Sequence, residues 1–576
     1  MPRKLKHLIG LGIFLLLAVG MAFGRHPKIA PDLDGVDPSS TVQVIVQFKH
    51  VPTVAHHRKI TDRGGSLKAS LNLVKAGVYT LPASALEDLA NDSEVVHISP
   101  DRKLGGLLDL TAAAVNANAA WQSNYIGTGV GVVVIDSGIS ASADLPITGR
   151  SATVVYAQDF VGTGTGDQFG HGEHVAGIIA GNGSQSSCKS CTRRFLGIAP
   201  DANLINLRVL DQNGASTDSV VIAAIQRAIQ LKSQYNIRVM NLSLGRPVYE
   251  SYTVDPLCQA VEAAWKAGIV VVVAAGNDGR NNTDGIDGYG TIDAPGNDPY
   301  VITVGAMKTM GTPQRSDDLI ASYSSKGPTM VDQVVKPDLV APGNQVVSLL
   351  VSAGTLEASY AQNYVPLTYY MTSVNSALST SSSVSTTYFV LSGTSMATPV
   401  VSGAVADLLQ AQPGLTPDQV KARLMLAAYK TFPTSSSVTD PTTGITYTDY
   451  YDIFTVGAGY LDIASALNNT FVATGTALSP TVTVNTSTGV ASLVFDPSSV
   501  WANKSLWASQ SLGAAQTIWG QTEANADNTL WASQSLWAQQ SLWAQKSLWA
   551  SQSLWASSSA TSAAATTVLI SGDTAN

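Results

Sequence analysis

The chain has 576 residues, a formal net charge of -8 and only 13% charged residues. This length exceeds that of one compact domain, so we expect two or more structural units. No stripe of basic residues is available to hold phosphates, which argues against nucleic acid as a partner. Low charge together with 49 glycines is typical of a loop-rich, exported α/β protein.

The N-terminus has the pattern of a secretory signal peptide. A basic start with Arg3, Lys4 and Lys6 precedes an apolar run over residues 8–23, and residues 22–24 form a small-x-small exit. This pattern predicts a signal peptide over residues 1–24 and a secreted protein, extracellular or at the cell surface. The alternative is an uncleaved membrane anchor, although the apolar run is short for a membrane span.

Residues 41–104 predict a separate small α+β domain. Their pattern is strand, helix, strand, strand, helix, strand. The predicted strands cover residues 42–48, 66–81 and 94–99, and the predicted helices cover residues 54–63 and 83–91.

The next part of the chain alternates short apolar strands with amphipathic helices. Runs rich in β-branched residues cover residues 130–135, 203–210, 237–244, 269–275 and 301–304. Helical patterns lie between them, and this alternation predicts a parallel sheet with helices on both faces. Ligands of such sheets bind at the carboxyl ends of the strands, and Asp136 and Asn277 follow two of these runs.

Three separate motifs in this α/β part carry an acid, a base and a nucleophile. After residue 100 the only histidines are His171 and His174, and a hydroxyl nucleophile at neutral pH usually needs an imidazole base. Asp136 ends an apolar run, and Ser395 begins an apolar helix, where free backbone N–H groups favour a developing oxyanion. A lone serine at such a place is usually a helix cap. The three together, in the order Asp, His, Ser, predict a serine hydrolase.

With their neighbours, these residues resemble the signature motifs of the subtilase (subtilisin-like) family. The motifs are Asp136-Ser-Gly, His171-Gly-Glu-His-Val-Ala-Gly and Gly393-Thr-Ser-Met-Ala-Thr-Pro, and the likeness covers about residues 119–467. The chain order of the triad is also that of subtilisin. The resemblance implies a serine endopeptidase that works through an acyl-enzyme, with Asp136, His171 and Ser395 as the triad. It makes His174 a buried structural residue.

The same resemblance assigns residues around the triad. The Asn277 side chain is expected to donate to the oxyanion alongside the backbone N–H of Ser395. An extended substrate would pair with backbone on two sides of the cleft. The residues implied in substrate binding are Ser243, Leu244, Gly245, Gly214, Ala274 and Gly276.

The small domain at residues 41–104 resembles the propeptide of subtilases. That resemblance implies a ferredoxin-like inhibitor and folding chaperone, removed by cleavage near residues 104–111. An unrelated accessory domain is the alternative.

Two features bear on metals and redox chemistry. Cys188 and Cys191 form a Cys-x-x-Cys pair, for which a short-loop disulfide or a metal or redox site are the alternatives. Residues 182–196 contain no Asp or Glu, so the calcium loop of many relatives is not expected there. Asp278, Asp284, Asp287 and Asp293 form either another calcium site or a solvated acidic loop. No cofactor is required for the expected chemistry. A structural calcium ion remains an open alternative, without an assigned site.

The C-terminal part contains tryptophans that share one register of six residues. They are Trp501, Trp507, Trp519, Trp531, Trp537, Trp543, Trp549 and Trp555. A helix would scatter residues six apart around its axis, whereas a strand keeps them on one face, so a β structure is favoured. The strip of tryptophans is either a binding site for cell-wall glycan or another polymer, or a self-packing stalk.

Five segments follow from these patterns. They are a signal peptide at 1–24, a propeptide at 25–108, a peptidase domain at 109–470, a linker with short strands at 471–500 and a tryptophan-repeat tail at 501–576. The expected partners are polypeptide substrates and the chain's own propeptide. The rival hypothesis is a cell-surface binding protein in which the catalytic fold is a scaffold and the tail binds.

Overall fold

The computed structural model describes residues 26–30, 33, 36–100, 109–146, 153–280, 288–372, 383–440, 444–485, 490–502 and 569–573. The chain divides into two compact units, Met1–Gly105 and Gly106–Asn576. The predicted signal peptide, Asp284, Asp287 and the repeats beyond Trp501 lie outside the described residues. None of the described helices is long and apolar enough to cross a membrane.

The first unit is a four-stranded antiparallel sheet with two helices. Its elements are β1 (Thr41–Phe48), α1 (Val54–Thr61), β2 (Ser66–Leu71), β3 (Ala76–Pro82), α2 (Leu86–Ala90) and β4 (Val95–Pro100). The strands lie in the order β2-β3-β1-β4. Val44, Val46 and Phe48 of β1 are buried while their neighbours are less so, which is the two-residue alternation of a sheet with one covered face. The element order is the predicted one.

The second unit begins with two short helices and then alternates strands and helices. These elements are α3 (Asp109–Ala114), α4 (Ala117–Gln122), β5 (Gly131–Asp136), β6 (Val154–Asp159), α5 (His171–Ala180), β7 (Asn203–Arg208), α6 (Asp218–Leu231), β8 (Ile237–Leu242), α7 (Pro256–Lys266), β9 (Val270–Ala274) and β10 (Ile302–Lys308). The five predicted strands are present, and β6 is an additional strand that the sequence pattern did not indicate.

The main sheet of this unit is parallel except for one short strand. Its order is β11-β10-β9-β8-β5-β7-β6, where β11 (Leu319–Ile320) is antiparallel to β10. Strand β12 (Leu339–Pro342) also pairs with β10. Every residue of β5, β9 and β10 is buried, so both faces of the sheet are covered, as an α/β fold requires. The chain runs from β5 to β6 and β7 on one side and continues with β8 on the other. The carboxyl ends of β5 and β8 therefore flank a topological switch point, where such sheets bind ligands.

The remaining elements complete the second unit. They are β12 (Leu339–Pro342), β13 (Val346–Leu349), α8 (Thr355–Ser359), β14 (Tyr364–Pro366), α9 (Leu367–Tyr370), β15 (Val384–Leu391), α10 (Thr394–Ala411), α11 (Pro417–Ala427), β16 (Ser435–Thr439), β17 (Thr446–Tyr450), α12 (Ile463–Asn468), β18 (Thr481–Asn485) and β19 (Val490–Val494). Helix α10 packs against α5 and against β8, β9 and β10. Its first turn therefore meets the carboxyl edge of the sheet near the switch point.

Both described ends of the predicted tail belong to the second unit. Trp501 is 1% exposed and packs in a hydrophobic cluster with Met425 and Phe454, so this first tryptophan of the register is a core residue. Asp573 is fully buried. Its carboxylate pairs with Arg280 and, at 3.3 Å, with Lys308. The described residues at both ends of the predicted tail at 501–576 are thus packed into the second unit.

Candidate active site

A buried aspartate and histidine form a hydrogen-bonded pair at the carboxyl end of β5. Asp136 is the last residue of this strand, and its Oδ1 accepts a hydrogen bond from the backbone N–H of Ser137 at 2.7 Å. The same Oδ1 lies 2.8 Å from Nδ1 of His171. Because a carboxylate only accepts hydrogen bonds, Nδ1 of His171 carries the proton and Nε2 is left as the basic atom. His171 is the first residue of α5.

Carboxylates around His171 tune its proton affinity. Burial disfavours the imidazolium, but the carboxylates of Asp136 and Asp167 outweigh it and raise the pKa of His171 above its usual value of 6.5. Burial and the charge of Asp167 raise the pKa of Glu173 to about 8. Glu173 also accepts a hydrogen bond from the backbone N–H of Ser140 at 2.7 Å. It is therefore a largely neutral, buried side chain in the first turn of α5 at pH 7.

Sequence reasoning gave no role to Asp167, which organises the start of α5. Its Oδ1 accepts the backbone N–H groups of Phe169 and Gly170 at 2.9 and 2.8 Å, and its Oδ2 accepts that of Glu173 at 2.8 Å. These bonds satisfy donors that a helix N-terminus leaves free. The signal was available, because an aspartate four residues before His171 lies at the capping end of a helix.

His174 is a structural residue in the interior of α5. Its Nε2 lies 3.1 Å from the carbonyl oxygen of Val346 and 3.2 Å from that of Phe389. Burial lowers the pKa of His174 to about 3, and the charge of His171 adds to this effect. A neutral His174 therefore joins α5 to β13 and β15.

Ser395 is the second residue of α10 and is linked to the segment that follows β8. Its Oγ donates to the carbonyl oxygen of Ser243 at 3.1 Å, and Oγ of Ser243 donates to the carbonyl oxygen of Ser395 at 2.8 Å. A serine hydroxyl has one proton, so in this state it is given to a backbone carbonyl rather than to His171. Because this proton is engaged, Ser395 forms no hydrogen bond with His171 in this state.

Asn277 lies beyond the end of β9 and is oriented by Thr394. Its Oδ1 accepts hydrogen bonds from the backbone N–H of Thr394 at 2.9 Å and from its hydroxyl at 3.2 Å. The amide nitrogen, Nδ2, is thereby turned away from Thr394. A Cβ atom built on Gly393, whose φ is +147°, would lie 3.4 Å from Nδ2 of Asn277 and 3.6 Å from the backbone nitrogen of Ser395. Nδ2 of Asn277 and the backbone nitrogen of Ser395 therefore both lie close to one point beside Gly393, next to the nucleophile.

The residues implied in substrate binding fall into two places. Ser243, Leu244 and Gly245 follow β8, beside Ala274 at the end of β9 and Gly276 just after it. Backbone hydrogen bonds between Arg246 and Ala294, at 3.0 and 2.7 Å, connect the first of these segments to the chain beyond β9. Gly214 lies elsewhere, with φ of +74°, and a Cβ there would be 2.7 Å from the ring of Phe169, two residues before His171. The structure thus places the residues after β8 and β9 beside Ser395, and Gly214 near His171.

A disulfide joins Cys188 and Cys191, one of the two alternatives predicted for the pair. Cys258 is a buried free thiol. Within the described part of the chain, no group of three or more His, Cys, Asp or Glu side chains is placed to hold a metal ion.

A parallel sheet with a buried Asp–His pair and a serine at a helix N-terminus is typical of α/β serine hydrolases. The family model of the subtilases matches residues 127–459, and the chain belongs to this family. It is a serine-type endopeptidase.

Curated relatives agree with this family. The chain is 36% identical over 373 residues to the serine protease AprX of Bacillus subtilis, across 63% of this chain and 76% of that protein. It is 30% identical over 430 residues to subtilisin E of the same species, across 73% of this chain and 93% of that protein. It is also 29% identical over 369 residues to alkaline serine exoprotease A of Vibrio alginolyticus, across 61% of this chain and 54% of that protein.

Proposed function

We propose that this endopeptidase cleaves peptide bonds with a triad of Asp136, His171 and Ser395. The observation that carries the proposal is the space bordered by the backbone nitrogen of Ser395 and Nδ2 of Asn277. In this proposal, the carbonyl oxygen of a substrate attacked by Ser395 would occupy this space as it acquires negative charge. The 2.8 Å pair of His171 and Asp136 supplies a base of fixed tautomer near the same edge of the sheet.

The chemical steps follow from these atoms. Nε2 of His171 removes the proton of Ser395 as Oγ attacks the substrate carbonyl carbon. The tetrahedral intermediate is stabilised by the two N–H donors, and the imidazolium is stabilised by Asp136. His171 then gives its proton to the leaving amine, which releases the first product and leaves an acyl-enzyme. Water, deprotonated by His171, hydrolyses this ester.

Substrate binding provides a reason for the Ser395 side chain to rotate. A substrate strand that adds to residues 243–245 would donate an N–H to the carbonyl of Ser243. This carbonyl now accepts the Ser395 hydroxyl at 3.1 Å. Competition for the carbonyl would free the hydroxyl to turn toward His171, so that the nucleophile is activated when the substrate arrives.

Non-additive loss of activity tests the triad. Cleavage of an unfolded polypeptide would be measured for Ser395→Ala, for His171→Ala and for the double variant, with Ser402→Ala of the same helix as the control. When residues act as one catalytic unit, replacing one of them lowers the activity as much as replacing several together. We expect the three catalytic variants to be equally inactive and Ser402→Ala to cleave. Independent, multiplicative losses would contradict the proposal.

We further propose that the protein is made as a secreted precursor, with a signal peptide at 1–24 and a propeptide at 25–108. Support comes from the N-terminal sequence pattern and from the separate first unit with its β2-β3-β1-β4 sheet. Sequencing the N-terminus of the mature protein tests both parts. A start within residues 104–112 is expected, whereas a mature protein that retains residues 41–100 would contradict the propeptide.

The tryptophan repeats are proposed to bind a cell-wall glycan or another polymer, with the row of aromatic side chains as the support. Deletion of residues 510–559 tests this proposal by measuring retention of the protein on cell walls. Loss of retention is expected. Unchanged retention would favour the self-packing stalk, and it would also contradict a scaffold protein that works through its tail.

A further inference from the structure

One carboxylate is held between the two backbone segments that are implied in substrate binding beside Ser395. The backbone N–H of Asp293 donates to the carbonyl of Ala275 at 3.0 Å. The next residue, Ala294, exchanges two backbone hydrogen bonds with Arg246. Asp293 is thereby fixed against both the segment after β8 and the segment after β9.

The Asp293 side chain lies at the two glycines of these segments. A Cβ atom built on Gly276, whose φ is +109°, would lie only 2.7 Å from Oδ2 of Asp293. A Cβ built on Gly245 would lie 3.5 Å from the same oxygen. Because Gly245 and Gly276 have no side chains, Oδ2 of Asp293 lies between two segments of bare backbone. Asn277 follows Gly276 directly, so this place adjoins the proposed oxyanion donors.

The carboxyl group of Asp293 is not paired with a neighbouring cation. Among the described residues, its carboxylate takes part in no hydrogen bond and no ion pair. Arg246 is the cation whose charge reaches it, but this guanidinium is engaged by Asp218 at 2.8 Å and by Asp255 at 2.9 Å. Burial raises the pKa of Asp293 well above its usual range, and the charge of Asp278 adds to this effect.

An enclosed carboxylate without a partner favours a cationic ligand, since a buried charge is costly unless it is paired. Asp293 is only partly buried, so a ligand can approach it. Lys and Arg side chains combine an apolar stem with a charged end. The stem would lie along the bare backbone of Gly245 and Gly276 while the charged end meets Oδ2 of Asp293.

We propose that Asp293 is a specificity-determining residue, which selects substrates with Lys or Arg at the position whose carbonyl Ser395 attacks. The inference rests on the proposed function, because it assumes that the cleaved bond lies between Ser395 and Asn277. A carboxylate at the base of a primary specificity pocket is a recognised means of choosing a basic side chain.

Matched peptide substrates test the proposal. A series of succinyl-Ala-Ala-Pro-X-p-nitroanilides with Arg, Lys, Leu, Phe or Glu as X would be compared for wild type, Asp293→Asn and Asp317→Asn. Asp317 is an exposed carboxylate on a separate short helical turn, and its substitution changes the net charge equally. We expect wild type and Asp317→Asn to prefer Arg and Lys over Leu and Phe. In Asp293→Asn, kcat/KM for Arg and Lys should fall by at least about 10-fold while that for Leu and Phe is maintained or rises.

The outcomes separate this inference from the proposed function. Equal preference in wild type and Asp293→Asn, with cleavage still abolished by Ser395→Ala, would overturn the role of Asp293 and leave the triad intact. Absence of Ser395-dependent cleavage of every substrate would overturn the proposed function itself. The assays would be repeated with calcium chloride and with a chelator. If calcium suppresses the preference for Arg, and raises the melting temperature only when Asp293 is present, the carboxylate binds a metal ion and the inference fails.

Discussion

Oγ of Ser395 lies 3.1 Å from the carbonyl oxygen of Ser243 and donates its only proton to it. The proposed nucleophile is therefore held by the same backbone segment to which an extended substrate would bind. Under the proposed mechanism, the serine and histidine would be coupled only when a substrate competes for that carbonyl.

The first prediction concerns Asn277, whose amide is oriented by Thr394. We expect Asn277→Ala to lower kcat by about 100- to 1,000-fold with little change in KM, because one of two oxyanion donors is lost. Thr394→Val should cost much less, since its backbone N–H still binds Oδ1 of Asn277. Steady-state kinetics with one peptide substrate measure both effects. A large rise in KM with unchanged kcat would show that Asn277 binds substrate in the ground state instead.

The second prediction concerns the pH dependence of cleavage. Activity requires neutral His171, and nearby carboxylates raise its pKa above 6.5, so kcat/KM should rise with pH to a plateau through a midpoint above that value. Asp136→Asn removes the main source of this shift. The midpoint should then move to lower pH, while kcat at the plateau falls by about 10,000-fold. A midpoint that stays in place or moves upward in Asp136→Asn would contradict the assignment of the titrating group.

The third prediction uses Glu173, which keeps its proton in the folded protein up to about pH 8 but loses it near pH 4.5 when unfolded. Between these values the unfolded state binds fewer protons than the native state, so wild type loses stability as pH rises. Glu173→Gln has no proton to lose. Both proteins would carry Ser395→Ala to remove activity. The free energy of unfolding of the Glu173→Gln variant, minus that of the protein with Glu173, should therefore increase by a few kcal/mol from pH 5 to pH 8.

Urea denaturation at the two pH values measures this difference, with the exposed Glu250→Gln as the control. The control should show no such change with pH. If Glu173→Gln is destabilised equally at both pH values, Glu173 is ionised in the native state.

The fourth prediction concerns Asp573, whose side-chain carboxylate is buried near the C-terminus. Its Oδ2 accepts the backbone N–H of Ser322 at 2.8 Å, and its own N–H donates to Asn344 at 2.8 Å. Replacing Asp573 with Ala leaves the buried Lys308 without this partner and should cost about 3 to 5 kcal/mol. Ser571→Ala, at an exposed neighbouring residue, should cost almost nothing. Melting of both variants in the Ser395→Ala background tests this contact, and equal melting temperatures would show that the segment does not stabilise the unit.

Much of the fold could be predicted from the sequence because the buried strands are short β-branched runs separated by helical patterns. The parallel alternation places the ends of β5 and β9 at one edge, so Asp136 and Asn277 were expected on the same side of the sheet. The local sequence pattern was sufficient to predict strands that are buried on both faces.

The remaining features depend on contacts between distant loops, which leave no periodic trace. The position of Asp293 between Gly245 and Gly276 is set by hydrogen bonds to Ala275, 18 residues earlier in the chain, and from Ala294 to Arg246, 48 residues earlier. The burial of Trp501 and of Asp573 is likewise set by partners far away in sequence. Strand β6 was missed because its residues are only partly buried, so its apolar pattern is weak.

Covalent labelling with a fluorophosphonate tests the central claim most directly, because the reagent reacts only with a serine activated by a base beside oxyanion donors. We predict rapid, stoichiometric labelling of the wild type at Ser395. Ser402→Ala should be labelled equally, whereas Ser395→Ala and His171→Ala should not be labelled. If the wild type is labelled no faster than Ser395→Ala, the proposed triad is wrong.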